Sequence, residues 1–197
     1  MNLFYKLFAK NNRENFDISN LIWSWIGSFL GLFAIAFFHR NFLDDSDLTL
    51  VLSSFGASAV LIYGAINSPL AQPKNLIGGH IISAIIGVFC YKLFGENLLF
   101  AAAIAVSSSI LVMQLTLTLH PPGGATALIA VIGTPQIHDL GYFFVIFPVF
   151  SGALILFLIA FIVNNIPKNR AYPESFKHYL KKKYQRYKRR SLKRDKK

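Results

Sequence analysis

The residues with the clearest chemical potential in this 197-residue chain form one short run, His120-Pro121-Pro122-Gly123-Gly124. Proline is favoured in the first turn of a helix, where the backbone N–H that it lacks would have no partner. The run therefore predicts a helix that begins at the prolines and leaves several backbone N–H groups free at its end. Such an end carries about half a positive charge and binds anions without a cationic side chain. His120 adds an imidazole that titrates near neutral pH.

A second run, Gly56-Ala57-Ser58-Ala59-Val60-Leu61-Ile62, is similar to the residues that follow the prolines, Gly124-Ala125-Thr126-Ala127-Leu128-Ile129. Glycine lets a small ligand approach the backbone closely, and the hydroxyls of Ser58 and Thr126 could add donors. We therefore predict that the two runs meet around one small anion. The predicted substrate-binding residues are Gly56, Ala57, Ser58, His120, Pro121, Pro122, Gly123, Gly124, Ala125 and Thr126.

Four further polar residues are candidates for the pathway or gate: Gln72, Lys74, Asn75 and His80. Lys74 could attract anions to the mouth, although a single loop lysine more often only sets membrane orientation. His80 could act as a gate or could instead hydrogen-bond two helices together. His120 has a similar structural alternative, as a helix cap or an interhelical hydrogen bond.

Catalysis and metal binding are not expected. The single cysteine, Cys90, has no recognised metal-ligand spacing with His80 and His120. The chain has neither a Gly-x-Ser-x-Gly nucleophile elbow nor a His-Glu-x-x-His helix. The sequence therefore predicts no enzyme activity, no metal and no cofactor.

The elements that must position these residues are membrane helices. The chain is 54% hydrophobic and 15% charged, whereas about a quarter of the residues in a soluble domain are charged. A run of about 18 apolar residues crosses the hydrocarbon core of a bilayer, and five runs have this length: 21–38, 48–66, 76–94, 98–119 and 140–163. A sixth run, Gly123 to Gly133, is too short to cross and must be broken or re-entrant.

These segments predict an all-α, polytopic membrane helix bundle made of two inverted three-segment repeats with discontinuous helices. The predicted breaks are Ser53-Ser54-Phe55-Gly56 in one half and His120 to Gly124 in the other. We expect the amino ends of two half-length helices to meet near the midplane. No Asp or Glu falls inside a predicted span, which favours a channel, a uniporter or coupling through histidine.

Charge predicts the orientation and the domain boundaries. Fourteen of the twenty basic residues lie in 168–197, and Lys and Arg concentrate on the cytoplasmic side of membranes. We therefore expect a cytoplasmic lead over 1–20, a membrane domain over 21–166 and a basic cytoplasmic tail over 167–197. The tail is expected to be an amphipathic helix on anionic lipid headgroups or disordered, and nucleic acid is not an expected partner. Asp44, Asp45 and Asp47 are expected in a solvated loop.

Three ordered blocks carry a resemblance to a known family: Phe55 to Leu61, Ser68 to His80 and His120 to Ala127. Together they resemble the signature blocks of the HPP family of integral membrane proteins, over about residues 23–163. Plant members of that family are nitrite transporters of the chloroplast envelope. The resemblance therefore implies transport of a small monovalent anion, nitrite first, and a bacterial inner membrane is the expected location.

Two interpretations stay open beside each other. The first is anion transport by a protein that also self-associates, because its spans are rich in Gly and Ala. The second is a membrane scaffold that recruits a partner through its basic tail. The lipid bilayer is a partner in both.

Overall fold

The computed structural model describes residues 17–176, and these form a bundle of α-helices. Two π-helical segments, Val60–Gly64 and Val145–Phe150, and a short 3₁₀ turn, Pro69–Ala71, connect or extend the α-helices. Residues 1–16 of the predicted lead (1–20) and residues 177–197 of the predicted tail (167–197) lie outside the described residues. The helices are α1 (Ile18–His39), α2 (Asp45–Ala59), α3 (Pro73–Phe94), α4 (Leu98–Leu115), α5 (Pro121–Ile132), α6 (Pro135–Leu140) and α7 (Ser151–Val163).

Five helical stretches of the described chain are long and apolar enough to cross a membrane. The short apolar helix α5 is the sixth segment and begins at the two prolines. This confirms the prediction of an all-helical membrane protein with five long spans and one short segment. The five stretches are Ile18–His39, Asp45–Gly64, Pro73–Phe94, Leu98–Leu115 and Val145–Val163.

Helix α1 shows how the bundle separates a lipid face from a packing face. Four exposed aromatic rings stack at i, i+4 spacing along its outer side: Trp25, Phe29, Phe33 and Phe37. Its inner side carries glycine instead, and a Cβ added at Gly31 would lie 2.7 Å from Leu156 Cδ1. Because small residues let helix backbones approach closely in lipid, α1 packs directly on α7.

The two ends of the described chain lie at the same face of the bundle. The side-chain amide of Asn169 donates to the Asp17 carboxylate. Arg170 Nη1 donates to Asn20 O at 3.2 Å. The residues just before α1 and those after α7 therefore contact each other at one face of the bundle.

The opposite face is held together by an aspartate that sequence reasoning placed in a solvated loop. Asp47 is fully buried. Its Oδ1 accepts the Thr134 N–H at 3.0 Å, and its Oδ2 accepts the Thr134 hydroxyl at 2.5 Å. Asp45 is exposed as expected, but the prediction is wrong for Asp47, because this carboxylate joins the start of α2 to the start of α6.

The chain after residue 166, predicted to be a tail, continues to pack on the bundle. Tyr172 is fully buried, and its hydroxyl donates to Ala71 O at 2.7 Å. Burial raises the pKa of this phenol above its ordinary value. The contacts of the bundle therefore extend past the predicted boundary, at least to Tyr172.

The helix breaks differ from those predicted. Helix α2 is continuous through Ser53–Gly56, so the expected break there is wrong, and the helix only widens at Val60–Gly64. No proline stands in Ser53–Gly56, and nothing else there removes a backbone hydrogen bond. The predicted span 140–163 is interrupted in the structure, where Phe147 has extended backbone angles, φ −136° and ψ 121°, before Pro148.

Candidate functional site

Glycines bring α3 and α5 into close contact and so place the two candidate histidines side by side. A Cβ added at Gly79 would lie 2.5 Å from His120 Cβ, and one added at Gly87 would lie 2.6 Å from Ala127 O. A Cβ at Gly123 would lie 2.7 Å from Ser83 Oγ. These glycines therefore serve helix packing. Gly123, predicted to face a ligand, faces α3 instead.

Two imidazoles share one serine hydroxyl in the interior of the bundle. His80 of α3, His120 before α5 and Ser58 of α2 are all 0% exposed. Ser58 Oγ lies 2.8 Å from His80 Nε2 and 2.9 Å from His120 Nε2. The structure therefore brings together three of the residues predicted to bind substrate or to line its pathway.

The other nitrogen of each imidazole also has a hydrogen-bond partner. His80 Nδ1 lies 2.7 Å from Thr126 Oγ1, and His120 Nδ1 lies 2.8 Å from Leu70 O. Ser58 and Thr126, which occupy matched positions in the two similar runs, thus contact the two nitrogens of the same imidazole. The structure therefore places these two hydroxyls on either side of one imidazole.

Ser54 completes this cluster and was not predicted. Its Oγ lies 2.9 Å from Thr126 Oγ1 and donates to Pro122 O at 3.0 Å. The sequence holds a usable signal for it, since Ser54 precedes Ser58 by one helical turn and so lies on the same face of α2. We call Ser54, Ser58, His80, His120 and Thr126 the buried polar cluster.

The amino end of α5 offers fewer free amides than predicted. Pro121 and Pro122 have no N–H, and the Gly123 N–H already donates to His120 O at 2.8 Å. The expectation of several bare amides at this end is therefore wrong. The same prolines that start the helix remove the donors that the anion was expected to use.

The space beside this helix end is also largely apolar. A groove of about 510 Å³ lies against Pro121, Gly124 and Ala125. Among the described residues that line it, Gln114 has the one polar side chain, and the others are Val106, Ile110, Met113, Leu119 and Leu128. A negative solute in this groove would contact mostly carbon, so the groove does not hold the anion by itself.

Several predicted site residues lie on the outer faces of their helices. A Cβ added at Gly56 would meet nothing within 4 Å. Ala57 and Ala125 are exposed, as is Pro121. Gly56 and Ala57 therefore do not share the face of α2 that carries Ser54 and Ser58, and the structure does not bring them to the buried polar cluster.

Two of the predicted pathway residues brace the chain around His120. Asn75 Nδ2 donates to Leu119 O at 2.8 Å and fixes the segment that leads into α5. Gln72 Nε2 donates to Ile66 O at 3.1 Å, and Gln72 Oε1 accepts the Glu174 N–H at 2.9 Å. Lys74, one residue before Asn75, is exposed.

A polar cavity of about 660 Å³ opens at the face where the described chain ends meet. Its wall includes Arg170, whose guanidinium donates to Tyr63 O at 2.5 Å and to Ser24 Oγ at 3.3 Å. Burial lowers the pKa of this guanidinium. The burial of Arg170 was not predicted, because the sequence pattern assigns this residue to the basic tail.

A third buried histidine was also missed. His39 lies one residue past the predicted first span, 21–38, and is 0% exposed. Its Nε2 lies 2.9 Å from Ser151 Oγ and its ring centroid lies 4.7 Å from that of Phe147. His39 therefore joins the end of α1 to the break before α7, away from the buried polar cluster.

Within residues 17–176 no three His, Cys, Asp or Glu side chains converge as metal ligands. Cys90 instead packs among Ala101, Ala105 and Val131, in a second core cluster.

Comparison with known proteins gives matches over most of the chain. The family description "HPP, transmembrane region" matches residues 13–173. A transmembrane protein of Dictyostelium discoideum is 47% identical over 160 residues, which cover 80% of this chain and 56% of that protein. Another from the same organism is 44% identical over 160 residues, covering 80% and 51%. The chain thus spans about half the length of these curated relatives, and no solved structure matches it.

Proposed function

This chain belongs to the HPP family of integral membrane proteins, and from that premise we propose that it transports a small monovalent anion, nitrite first. One observation carries the proposal: two imidazoles share a serine hydroxyl inside a bundle of membrane-spanning helices. Ionisable side chains are costly within a bilayer, and there they mark substrate or proton pathways by default.

The chemistry around the two histidines favours a negative solute. In the described chain, the hydrogen-bond partners of His80 and His120 are hydroxyls and one backbone carbonyl, with no carboxylate among them. The cluster can donate from hydroxyl and imidazole groups, and it gains positive charge when an imidazole is protonated. It has no means of becoming negative. In this proposal the imidazole and hydroxyl groups bind the anion, in place of the backbone N–H groups that the sequence predicted at the start of α5.

Transport requires the site to open. The cluster is closed to solvent, because His80, His120 and Ser58 are 0% exposed. We propose a route from the polar cavity beside Arg170, whose wall includes Ser68, past Leu70, whose carbonyl oxygen contacts His120. We propose that Gln72, Lys74 and Asn75 line the mouth of this route and that separation of α5 from α3 opens the site.

The inverted repeat is part of the same proposal. Two findings support it: Ser58 and Thr126 contact one imidazole from matched positions, and α2 and α5 run in opposite senses. The second follows because the start of α2 and the end of α5 meet at the Asp47 to Thr134 contact. Transporters built from inverted repeats bind their substrates at the repeat interface.

We propose that both described ends face the cytoplasm, because the basic residues concentrate after Lys168. A bacterial plasma membrane, anionic lipid headgroups around the basic tail and self-association through small residues stay predictions of the same account. The named relatives are proteins of a eukaryote, so location is to be tested separately.

The experiment is anion uptake by the full chain reconstituted into liposomes. Nitrite, nitrate, formate and chloride are offered separately at equal concentration, and protein-free liposomes give the background leak. We expect saturable uptake, fastest for nitrite. No uptake of any of the four anions would contradict the proposal and would favour a scaffold that acts through the basic tail.

A further inference from the structure

A continuous row of hydrogen bonds crosses the interior of the bundle between two backbone carbonyls. It starts at Leu70 O and ends at Pro122 O. The side chains between them, in order, are His120, Ser58, His80, Thr126 and Ser54. Every link is between 2.7 and 3.0 Å long, so each is a normal hydrogen bond that needs one hydrogen atom.

The row has more links than hydrogens when its side chains are neutral. Five side chains between two carbonyls make six links. A neutral imidazole supplies one N–H, each hydroxyl supplies one O–H, and a carbonyl supplies none. The five side chains therefore supply five hydrogens, and the row is one hydrogen short.

The contact that lacks a hydrogen can be located by assigning donors and acceptors in order, beginning at Leu70 O. Because Leu70 O only accepts, His120 carries its hydrogen on Nδ1 and leaves Nε2 bare. Ser58 must then donate to His120 and accept from His80 Nε2, which leaves His80 Nδ1 bare.

At the other end of the row, Thr126 must donate to the bare Nδ1 of His80. Ser54 is then required to donate to Thr126 and also to Pro122 O. It has a single O–H for both. One of the six contacts in the row therefore has no hydrogen between its two atoms.

We propose that the buried polar cluster binds one additional proton, and that it takes up this proton together with the transported anion. With six hydrogens every link is filled, and one of the two imidazoles is an imidazolium. Ser58 decides which: when it donates to His120 the charge lies on His80, and when it donates to His80 the charge lies on His120. The Ser58 hydroxyl therefore relays the proton between the two rings.

The surroundings of the two rings hold no charge that would balance this proton. Their hydrogen-bond and ring contacts in the described chain are Ser58 and Phe55 of α2, Thr126 of α5, Leu70 of the preceding turn and each other. Ser54 of α2 and Met113 of α4 lie in the next layer. Beside Leu70, the Ala71 carbonyl oxygen accepts a hydrogen bond from the Tyr172 hydroxyl.

An uncompensated imidazolium in this setting is costly, and an adjacent anion removes the cost. Binding of the proton and binding of the anion consequently strengthen each other, by the same factor in both directions. One proton with one monovalent anion carries no net charge across the membrane. This inference rests on the proposed transport function and identifies the proton as the ion that is transported together with the anion.

The test uses the full chain in liposomes that contain a trapped pH indicator, with nitrite and nitrate as separate probes. An inward proton gradient is imposed at zero membrane potential, and then a potential is imposed at equal pH. We expect anion accumulation with the proton gradient, internal acidification of one proton per anion, and no response to the potential. Protein-free liposomes correct for leak of nitrous acid.

The possible failures are distinguishable. Uptake that follows the potential and ignores the proton gradient would overturn proton coupling and leave anion transport standing. No uptake of either probe under both conditions would overturn the transport function and this inference with it.

Ser58 variants test the relay itself. Ser58→Ala removes the shared hydroxyl, and we expect proton-driven uptake to fall by about tenfold or more, since a buried pair loses its common partner. Ser58→Thr keeps a hydroxyl and should retain most of the coupled uptake. Size-exclusion profiles establish that both variants are folded. Equal coupled uptake by wild type and Ser58→Ala would contradict the relay.

A second measurement does not depend on transport. Nitrate is added to the detergent-solubilised full chain in weak buffer, and proton uptake is read from a pH indicator. We expect close to one proton per chain for the wild type and a clear loss in Ser58→Ala. Nitrate binding without proton uptake by the wild type would overturn the inference.

Discussion

The imidazole rings of His80 and His120 lie with their centroids 5.0 Å apart, at an interplanar angle of 60°, inside the helix bundle. Their approach depends on the residue just before His80. Gly79 lies against the His120 side chain, with no room for a Cβ between them. The geometry of the ring pair is therefore set by close packing between α3 and the start of α5.

Gly79→Ala should damage both stability and anion uptake. The new Cβ would lie 2.5 Å from His120 Cβ and 2.9 Å from Thr118 O, so the backbone before α5 must shift. Overpacking of this kind costs about 1–3 kcal/mol. The melting temperature of the purified protein and nitrite uptake in liposomes check this.

Gly56→Ala is the matched control, because a Cβ there meets nothing within 4 Å in the middle of α2. It should leave uptake unchanged and stabilise the helix by about 0.5–1 kcal/mol. Loss of uptake in a stable Gly56→Ala protein would return Gly56 to the substrate site, where the sequence first placed it.

Asp47→Asn should destabilise the face where α2 and α6 begin. The carboxylate accepts both the N–H and the hydroxyl of Thr134, whereas an amide presents a donor to one of them. Leaving buried partners unsatisfied costs about 1–3 kcal/mol. Asp45→Asn removes the same charge from the same helix end at an exposed position. Thermal unfolding of both variants separates the effect of losing the Thr134 contact from the effect of losing a negative charge. Equal losses of stability in the two variants would contradict a specific role for Asp47.

The Arg170→Lys variant should be less stable than the wild type, although it keeps the positive charge. The guanidinium donates to Asn20 O, Ser24 Oγ and Tyr63 O at once, and an ammonium cannot span three acceptors with the same fork. Hydrogen bonds of charged groups contribute about 1.5–3 kcal/mol each, so a marked fall in melting temperature is expected. Lys168→Ala, at an exposed position, serves as the control. Full stability of Arg170→Lys would show that charge alone suffices.

Truncation after Lys168 and truncation after Phe176 should have different effects, because only the first removes buried residues. Removing residues after Lys168 takes away Arg170 and Tyr172, both of which are buried, and should destabilise the bundle. Removing residues after Phe176 keeps these contacts, and we expect nitrite uptake to persist. Binding to liposomes with anionic lipid should fall in the second variant. Loss of uptake in a stable protein truncated after Phe176 would instead assign the tail a part in function.

Local patterns predicted much of this fold because they act locally. The length of apolar runs determines which segments can span lipid, and Pro121 with Pro122 determines where α5 begins. The matched hydroxyls of Ser58 and Thr126 were found because similarity between the two runs does not require knowledge of the packing.

Other features could not be predicted, because they depend on contacts between distant segments. Asp47 is buried by Thr134, and Arg170 is buried by α1 and the end of α2. The start of α5 was mispredicted for a local reason. Pro121 and Pro122 start the helix as expected, but they have no N–H groups and so cannot donate to an anion.

The central claim is that the histidine pair carries a small anion, and nitrite uptake by histidine variants in liposomes tests it most directly. His80→Gln and His120→Gln keep hydrogen-bonding capacity but cannot be protonated, so uptake should fall by about tenfold or more in each. His138→Gln, outside the pair and stacked on Tyr91, should transport like the wild type. Undiminished nitrite uptake by folded His80→Gln and His120→Gln proteins would contradict the account.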